Sequence, residues 1–143
     1  MNSSRILEIY EDFAKGRMDR LSQILDEKVD FISHAPADVF PYLGRRLGRA
    51  EVLEALTEVH NKLEVLSFWP ITTVVEGDQA ALTVLINVRE RTTGKTANFL
   101  AAHFLRFRND LIVEYRAIID SMDAVRQMST NAGEQVTRVG TRA

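Results

Sequence analysis

Two neighbouring stretches restrict the fold more than any other part of the chain. Residues 96–108 and 111–119 both read as long strands, and between them sits Asn109-Asp110, a tight-turn pair. Successive strand side chains point to opposite faces, so Phe99, Ala101, His103, Leu105 and Phe107 share one side. In the second stretch Val113, Tyr115, Ala117 and Ile119 do the same. An imidazole and a phenol thus stand in the middle of faces that are otherwise apolar or small. Such a face is either a slightly polar core or the wall of a ligand pocket. The pattern argues for a pocket and leaves its ligand unnamed.

The rest of the chain supplies what such a hairpin needs around it. Asn2, Ser3 and Ser4 are good caps for a first helix carrying Ile6, Leu7, Tyr10, Phe13 and Ala14 at helical spacing. Gly16 ends it, and Asp19 is expected to cap a second, short helix bearing Leu21, Ile24 and Leu25. Residues 29–34 alternate as a strand, with Val29, Phe31 and Ser33 on one face. Residues 35–47 hold two prolines and Gly44 and read as a loop, long enough to cover a site. Residues 48–63 form a third helix, its apolar stripe made by Val52, Leu53, Leu56, Val59 and Leu63. From Val65 the period changes to two, and a strand runs through Pro70 to Glu76 with a bulge or sheet edge expected at the proline. Turns at 76–78 and 92–95 bracket another strand, 79–91. A last helix, 121–128, is expected to start at Asp120, with Asp123 completing a capping box.

Helices at the front and four consecutive strands behind predict an α+β fold, a curved antiparallel sheet wrapped on one side into a cone. At 143 residues the chain fits one domain, residues 1–128, followed by a polar tail over 129–143 that is flexible or lies on a partner subunit. The opposite sheet face keeps Leu100, Ala102, Phe104, Ile112 and Ile118, which predicts a homodimer through the outer face. A net charge of −2 gives no reason to expect nucleic acid. The chain has no cysteine, which excludes disulfides and a thiolate nucleophile. No apolar run approaches the roughly 20 residues that span a bilayer, and no signal-peptide core opens the chain, so a cytoplasmic location without membrane contact is the expectation. His34, His60 and His103 share no ligand spacing, and no phosphate loop or nucleophile elbow appears. No metal and no cofactor are expected.

Residues 39–50, Val39-Phe40-Pro41-Tyr42-Leu43-Gly44-Arg45-Arg46-Leu47-Gly48-Arg49-Ala50, and 103–116, His103 through Arg116 with Asp120 beyond, resemble SnoaL-like proteins of the nuclear transport factor 2-like superfamily. The resemblance spans residues 6–128 and implies a conical α+β barrel with a pocket between sheet and helices. The superfamily includes ketosteroid isomerases, polyketide cyclases, limonene-type epoxide hydrolases and members that only bind. Where the isomerases carry an oxyanion-donating aspartic acid, three residues before an Arg-Phe pair, this chain has His103; the isomerase itself is a standard example of a buried neutral carboxylic acid. Their general base falls in the Ile32-Ser33-His34 region, which has no carboxylate, and their helical tyrosine has an approximate match in Tyr10. The aspartate of the cyclases and hydrolases corresponds to Ala117, two residues after Tyr115.

These residues define the candidates. His103, Tyr115 and His34 are the candidate acid–base or hydrogen-bonding groups; Tyr10, Tyr42, Trp69, Phe99 and Ala117 are candidate substrate contacts. Each has a structural alternative: a satisfied core histidine, a packed phenol, a solvated strand-end histidine, a tryptophan packed beside Pro70. Asp120 is explained by its cap, and Arg116 and Glu114 as an outer-face pair. Asn87 and Arg89 face inward only if they follow Leu85 into the interior. Three functions stay open: an isomerase or cyclase moving a proton next to a carbonyl, a binding protein for a small apolar molecule with one or two oxygen functions, and a dimerisation module. The last predicts a filled cone, without a void of the roughly 300 Å³ typical of ligand pockets.

Overall fold

The computed structural model describes residues 1–128; the expected tail over 129–143 lies outside the described residues. Helix α1 (Ser3–Ala14) and helix α2 (Met18–Ile24) lead into strand β1 (Leu25–Ser33). Short strand β2 (Arg45–Leu47) and helix α3 (Arg49–Lys62) follow. Strands β3 (Leu63–Glu76), β4 (Gln79–Glu90), β5 (Thr96–Arg108) and β6 (Leu111–Ile119) then run up and down, and helix α4 (Ser121–Met128) closes the described chain. All six strands form one sheet in the order β2-β1-β6-β5-β4-β3. Strand β1 pairs parallel with β6, and every other neighbour is antiparallel. The sheet is open, so this is the expected α+β cone rather than a closed cylinder.

Local chemistry explains most boundaries. The Asn2 side chain accepts the Arg5 backbone N–H at 2.9 Å, satisfying a donor that the first helical turn leaves over. Helix α3 begins at Gly48, whose φ of +89° favours glycine; a Cβ there would sit 3.3 Å from the Glu27 carbonyl oxygen. The β5–β6 turn places Asn109 at φ +52° and Asp110 at +60°, the two residue types besides glycine that best tolerate this region. Pro70 lies in β3, an edge strand, where its missing N–H need not break a ladder on both sides. Register shifts beside it, between Val65 and Ser67 and between Pro70 and Thr72, bend the strand.

The helices pack on one face of the sheet. Ile6, Ile9 and Tyr10 of α1, Leu21 and Ile24 of α2 and Val52 of α3 join Leu82, Val84, Leu105 and Phe107 in one core cluster. A second cluster at the other end gathers Phe40, Val59, Leu63, Val88, Phe99 and Ala124.

Several expectations need correction. Arg45–Leu47, read as loop, is a strand because it pairs with Asp30, Phe31 and Ile32 of β1, which no local pattern announces. Asp19 lies inside the first turn of α2, and no side chain caps that helix. Asp120 does cap α4, accepting the Asp123 N–H at 3.1 Å, but the Asp123 carboxylate is engaged by Arg126 and Gln127, so only half of the capping box forms. Ile112 is core rather than outer face: a shift between Arg106 and Phe107 pairs it with Phe107 and turns it inward.

Candidate functional site

The inward side chains of the sheet, Phe13 of α1, Leu56 and Val59 of α3 and Ala35, Phe40 and Leu43 of the loop after β1 line a cavity of about 100 Å³. Its lining is aliphatic and aromatic, with Phe13, Phe31, Phe68 and Phe99 supplying rings and Ala101 and Ala117 leaving room. Its side-chain polar groups are Ser33, His103 and Tyr115, and among the described residues it has no carboxylate. A second void of about 70 Å³ lies beside it and shares Phe13, Phe31, Leu56, Phe68 and Tyr115. The hollow therefore falls short of the roughly 300 Å³ typical of ligand pockets, which is the outcome that the dimerisation reading predicts. The reason is steric. The rings of Phe13 and Phe68, packed 4.5 Å apart, are among the five side chains that border both voids. The remaining space is on the order of the ~150 Å³ cavity that accepts a benzene ring.

The polar wall is built from three distant parts of the sequence. Tyr10 on α1 places its hydroxyl 2.7 Å from His103 Nδ1 on β5. Tyr115 on β6 places its own 3.1 Å from Nδ1 and 3.2 Å from Nε2. Each ring is held by its neighbours: Tyr10 stacks on Phe68 at 5.3 Å, and Tyr115 stacks nearly parallel on Phe31 at 4.9 Å. His103 is 2% exposed, and burial pushes its imidazole down to about 3. Burial likewise raises the phenols of Tyr10 and Tyr115, Tyr10 with a further contribution from Tyr115. All three groups are uncharged near neutral pH. They can exchange hydrogen bonds with a ligand oxygen, whereas protonating this imidazole at pH 7 would cost several kcal/mol.

Not every candidate reaches this wall. Phe99 and Ala117 line the cavity, and Ala117 is the β6 partner of His103. Tyr10 faces the smaller void and touches the larger one through His103. His34 is exposed just beyond β1, where its backbone N–H donates to the Ala117 carbonyl at 2.8 Å; its ring takes no part in the lining. Tyr42 is half-buried edge-on against Phe40, its phenol pushed up to about 12 mainly by burial, and it too stands outside the lining. Trp69 is 54% exposed on the outer face, because Phe68 beside it takes the inward position. Asn87 binds the Ser67 hydroxyl, and Arg89 pairs with Glu64 at 2.8 Å; both share the outer face with exposed Leu85. Arg116 and Glu114 also face outward, within a chain of ion pairs that runs from Arg45 through Asp30 to Arg106.

Ser33, Phe13 and Phe68 were not among the candidates. Ser33 had a usable signal, since the Val29-Phe31-Ser33 alternation puts it on the same face as two apolar residues. Phe68 had none, because the register shifts of β3 decide which of Phe68 and Trp69 turns inward. Among the described residues no three acidic or histidine side chains come together as metal ligands. No described helix is long and apolar enough to cross a membrane.

Solved structures share this architecture. A protein from Rhodopseudomonas palustris provisionally named an isomerase is 24% identical, with a TM-score of 0.76 over 83% of this chain and 88% of that one. A Catenulispora acidiphila protein with a ketosteroid isomerase-like fold, in complex with trimethylamine, is 11% identical at a TM-score of 0.77 over 93% and 98% of the two chains. TerC, co-crystallised with polyporic acid, is 19% identical at 0.76 over 87% and 95%. At these identities the likeness establishes the fold. No curated protein matches the chain. The family is established by sequence: residues 6–115 match the SnoaL-like domain, and the chain belongs to that family.

Proposed function

We propose that the cone binds a small, largely apolar molecule through an oxygen atom, with His103 and Tyr115 as the polar anchor and Phe99 and Ala117 among the contacts. One observation carries this reading: a neutral imidazole and two phenols form a single hydrogen-bonded wall inside a lining of rings and aliphatic groups. The ligand is compact, about the size of one six-membered ring. Binding without turnover fits the wall better than catalysis, since the lining offers no carboxylate and its imidazole is a weak base. Mass spectrometry of material extracted from the purified protein tests this. A small oxygen-bearing compound should be recovered from the native protein and lost from a folded His103→Leu variant; equal recovery from both would overturn the anchor.

A second reading keeps proton transfer next to a carbonyl, the isomerase or cyclase type of step, because both imidazole nitrogens lie near the Tyr115 hydroxyl. It predicts accelerated exchange of the α-hydrogens of cyclohexanone in heavy water, abolished in His103→Gln. Absence of acceleration in the native protein removes this second reading.

The outer sheet face supports a homodimer. Register aligns Trp69, Leu85 and Leu100 in one row across β3, β4 and β5, and Val74, Ala81 and Phe104 in another. Trp69, Val74, Leu85, Leu100, Phe104 and Ile118 are all exposed. The neighbouring Arg106–Glu114 and Arg116–Asp30 pairs carry balanced charge, which a two-fold axis can match to a second copy of the same face. Light scattering at micromolar concentration should give a dimer for the native chain.

A further inference from the structure

One wall of the cavity is not locked by the fold. Residues 34–44 run between β1 and β2, and both ends of this segment are pinned. The Ser33 N–H donates to the Gly44 carbonyl at 2.9 Å, and the His34 N–H donates to the Ala117 carbonyl at 2.8 Å. Between these anchors the backbone bonds close locally. The Val39 and Phe40 N–H groups donate to the Pro36 carbonyl at 3.1 and 2.9 Å, and the Leu43 N–H to the Phe40 carbonyl at 3.1 Å. Side-chain bonds to the segment come from beside the anchors: Ser33 Oγ accepts the Ala35 N–H at 3.4 Å, and Arg46 donates to the Tyr42 carbonyl at 2.6 Å. A stretch with adjoining ends and internal bonds is a compact loop that can move as a unit. Of residues 34–44 only Phe40 is buried. Its ring meets Phe99 edge-on at 5.8 Å, and it lines the cavity with Ala35 and Leu43.

The other walls are held by bonds and packing that an opening would have to break. Strands β3 to β6 are tied by their ladders, and α1 and α3 sink Ile6, Tyr10 and Val52 into the first core cluster. Helix α4 contributes no side chain to the lining, and its Gln127 amide both accepts the Asn98 N–H at 2.8 Å and donates to the Asn98 carbonyl at 2.6 Å. Raising residues 35–43, by contrast, gives up chiefly the contacts of one ring and leaves the strand ladders whole. Gly44 stands at the second anchor with φ +92° and open space where a Cβ would be, so the backbone can turn there without collision. We infer that residues 35–43 are a cover hinged at its two pinned ends, with Phe40 as the stopper, and that the hollow exchanges its contents beneath it. The movement follows from the loop alone; that it admits a ligand rests on the binding reading above.

The chain has no cysteine, so one introduced thiol reports access to one place. Ala101→Cys puts it in the lining, on the same face of β5 as Phe99. Val84→Cys puts it on the cross-strand partner of Ala101, fully buried in the first core cluster and outside the lining. Methyl methanethiosulfonate should modify Ala101→Cys at a rate that low urea leaves unchanged, because a local opening exposes little surface. Val84→Cys should react only through global unfolding, at a rate that climbs with urea along the unfolding slope. Adding Phe40→Ala should speed modification of Ala101→Cys by roughly tenfold or more and keep its urea dependence flat. Phe40→Leu, which retains most of the apolar fill, should give a smaller rise and replaces the alanine variant if that one does not fold. Ala101→Cys reacting with the same urea dependence as Val84→Cys overturns the cover, and so does an unchanged rate in the Phe40 variants. Saturating cyclohexanone should slow modification of Ala101→Cys. No slowing overturns the role in ligand entry, while the opening, read from urea dependence without any ligand, stands.

Discussion

The two faces of strand β5 are made by the same thirteen residues and meet opposite fates. Inward, Phe99, Ala101, His103, Leu105 and Phe107 are all buried, and the one polar member is satisfied by two phenols. Outward, Leu100 and Phe104 stand exposed beside charged Arg106 and Arg108. The contrast teaches that polarity does not decide which side of this sheet is interior. A histidine is kept inside and a phenylalanine outside. What decides is the helical layer, which covers one face and leaves the other open.

The sharpest way to break this contrast is to remove a ring from the covered side. Phe31 is buried and stacks on Tyr115, so Phe31→Ala should destabilise the fold by about 3–5 kcal/mol, read from the denaturant midpoint. The next effect is one of pH. The His103 imidazole lies near 3 in the folded protein and near its ordinary 6.5 when unfolded, so between those values the unfolded chain binds the extra proton. Stability from this group is complete above about pH 6.5 and falls as pH drops toward 3, with a slope of about 1.4 kcal/mol per pH unit. Comparing native protein with His103→Gln between pH 6.5 and 5, above the main carboxylate range, should show that slope reduced in the variant. An unchanged slope would mean that the imidazole is not held neutral. Asp120→Ala should cost about 1 kcal/mol through the lost α4 cap, measured in the same way. The smallest expected change in monomer stability is on the open side. Leu100→Glu with Phe104→Glu should move it by no more than about 0.5 kcal/mol per site, yet convert the proposed dimer to monomer in light scattering.

Legibility in the sequence followed the same division. The extents of β5 and β6, their turn and the inward sets containing His103, Tyr115 and Ala117 were readable because strict alternation and a turn pair are local signals. Tyr10 was named from a resemblance to a family, and its contact with His103, 93 residues away, has no local trace. Trp69 and its neighbour Phe68 are both aromatic, so the sequence alone does not say which of them is the contact. The choice between them depends on the β3 register, which depends in turn on pairing with β4. Ile112 was misplaced for the same kind of reason, since one extra residue in β6 reverses the face of everything before it.

By itself, then, the sequence determined the order and kind of the main elements, the α+β class, and the presence of an imidazole and a phenol on one inward wall. These follow from periodicity, caps and turn residues, which act over a few neighbouring positions. The tertiary structure alone decided that β1 lies parallel to β6, that Arg45–Leu47 is a strand, and that the packed rings leave a hollow the size of a single small ring. Pairing register and ring packing are properties of segments that meet only after the chain has folded, so no stretch of sequence carries them alone.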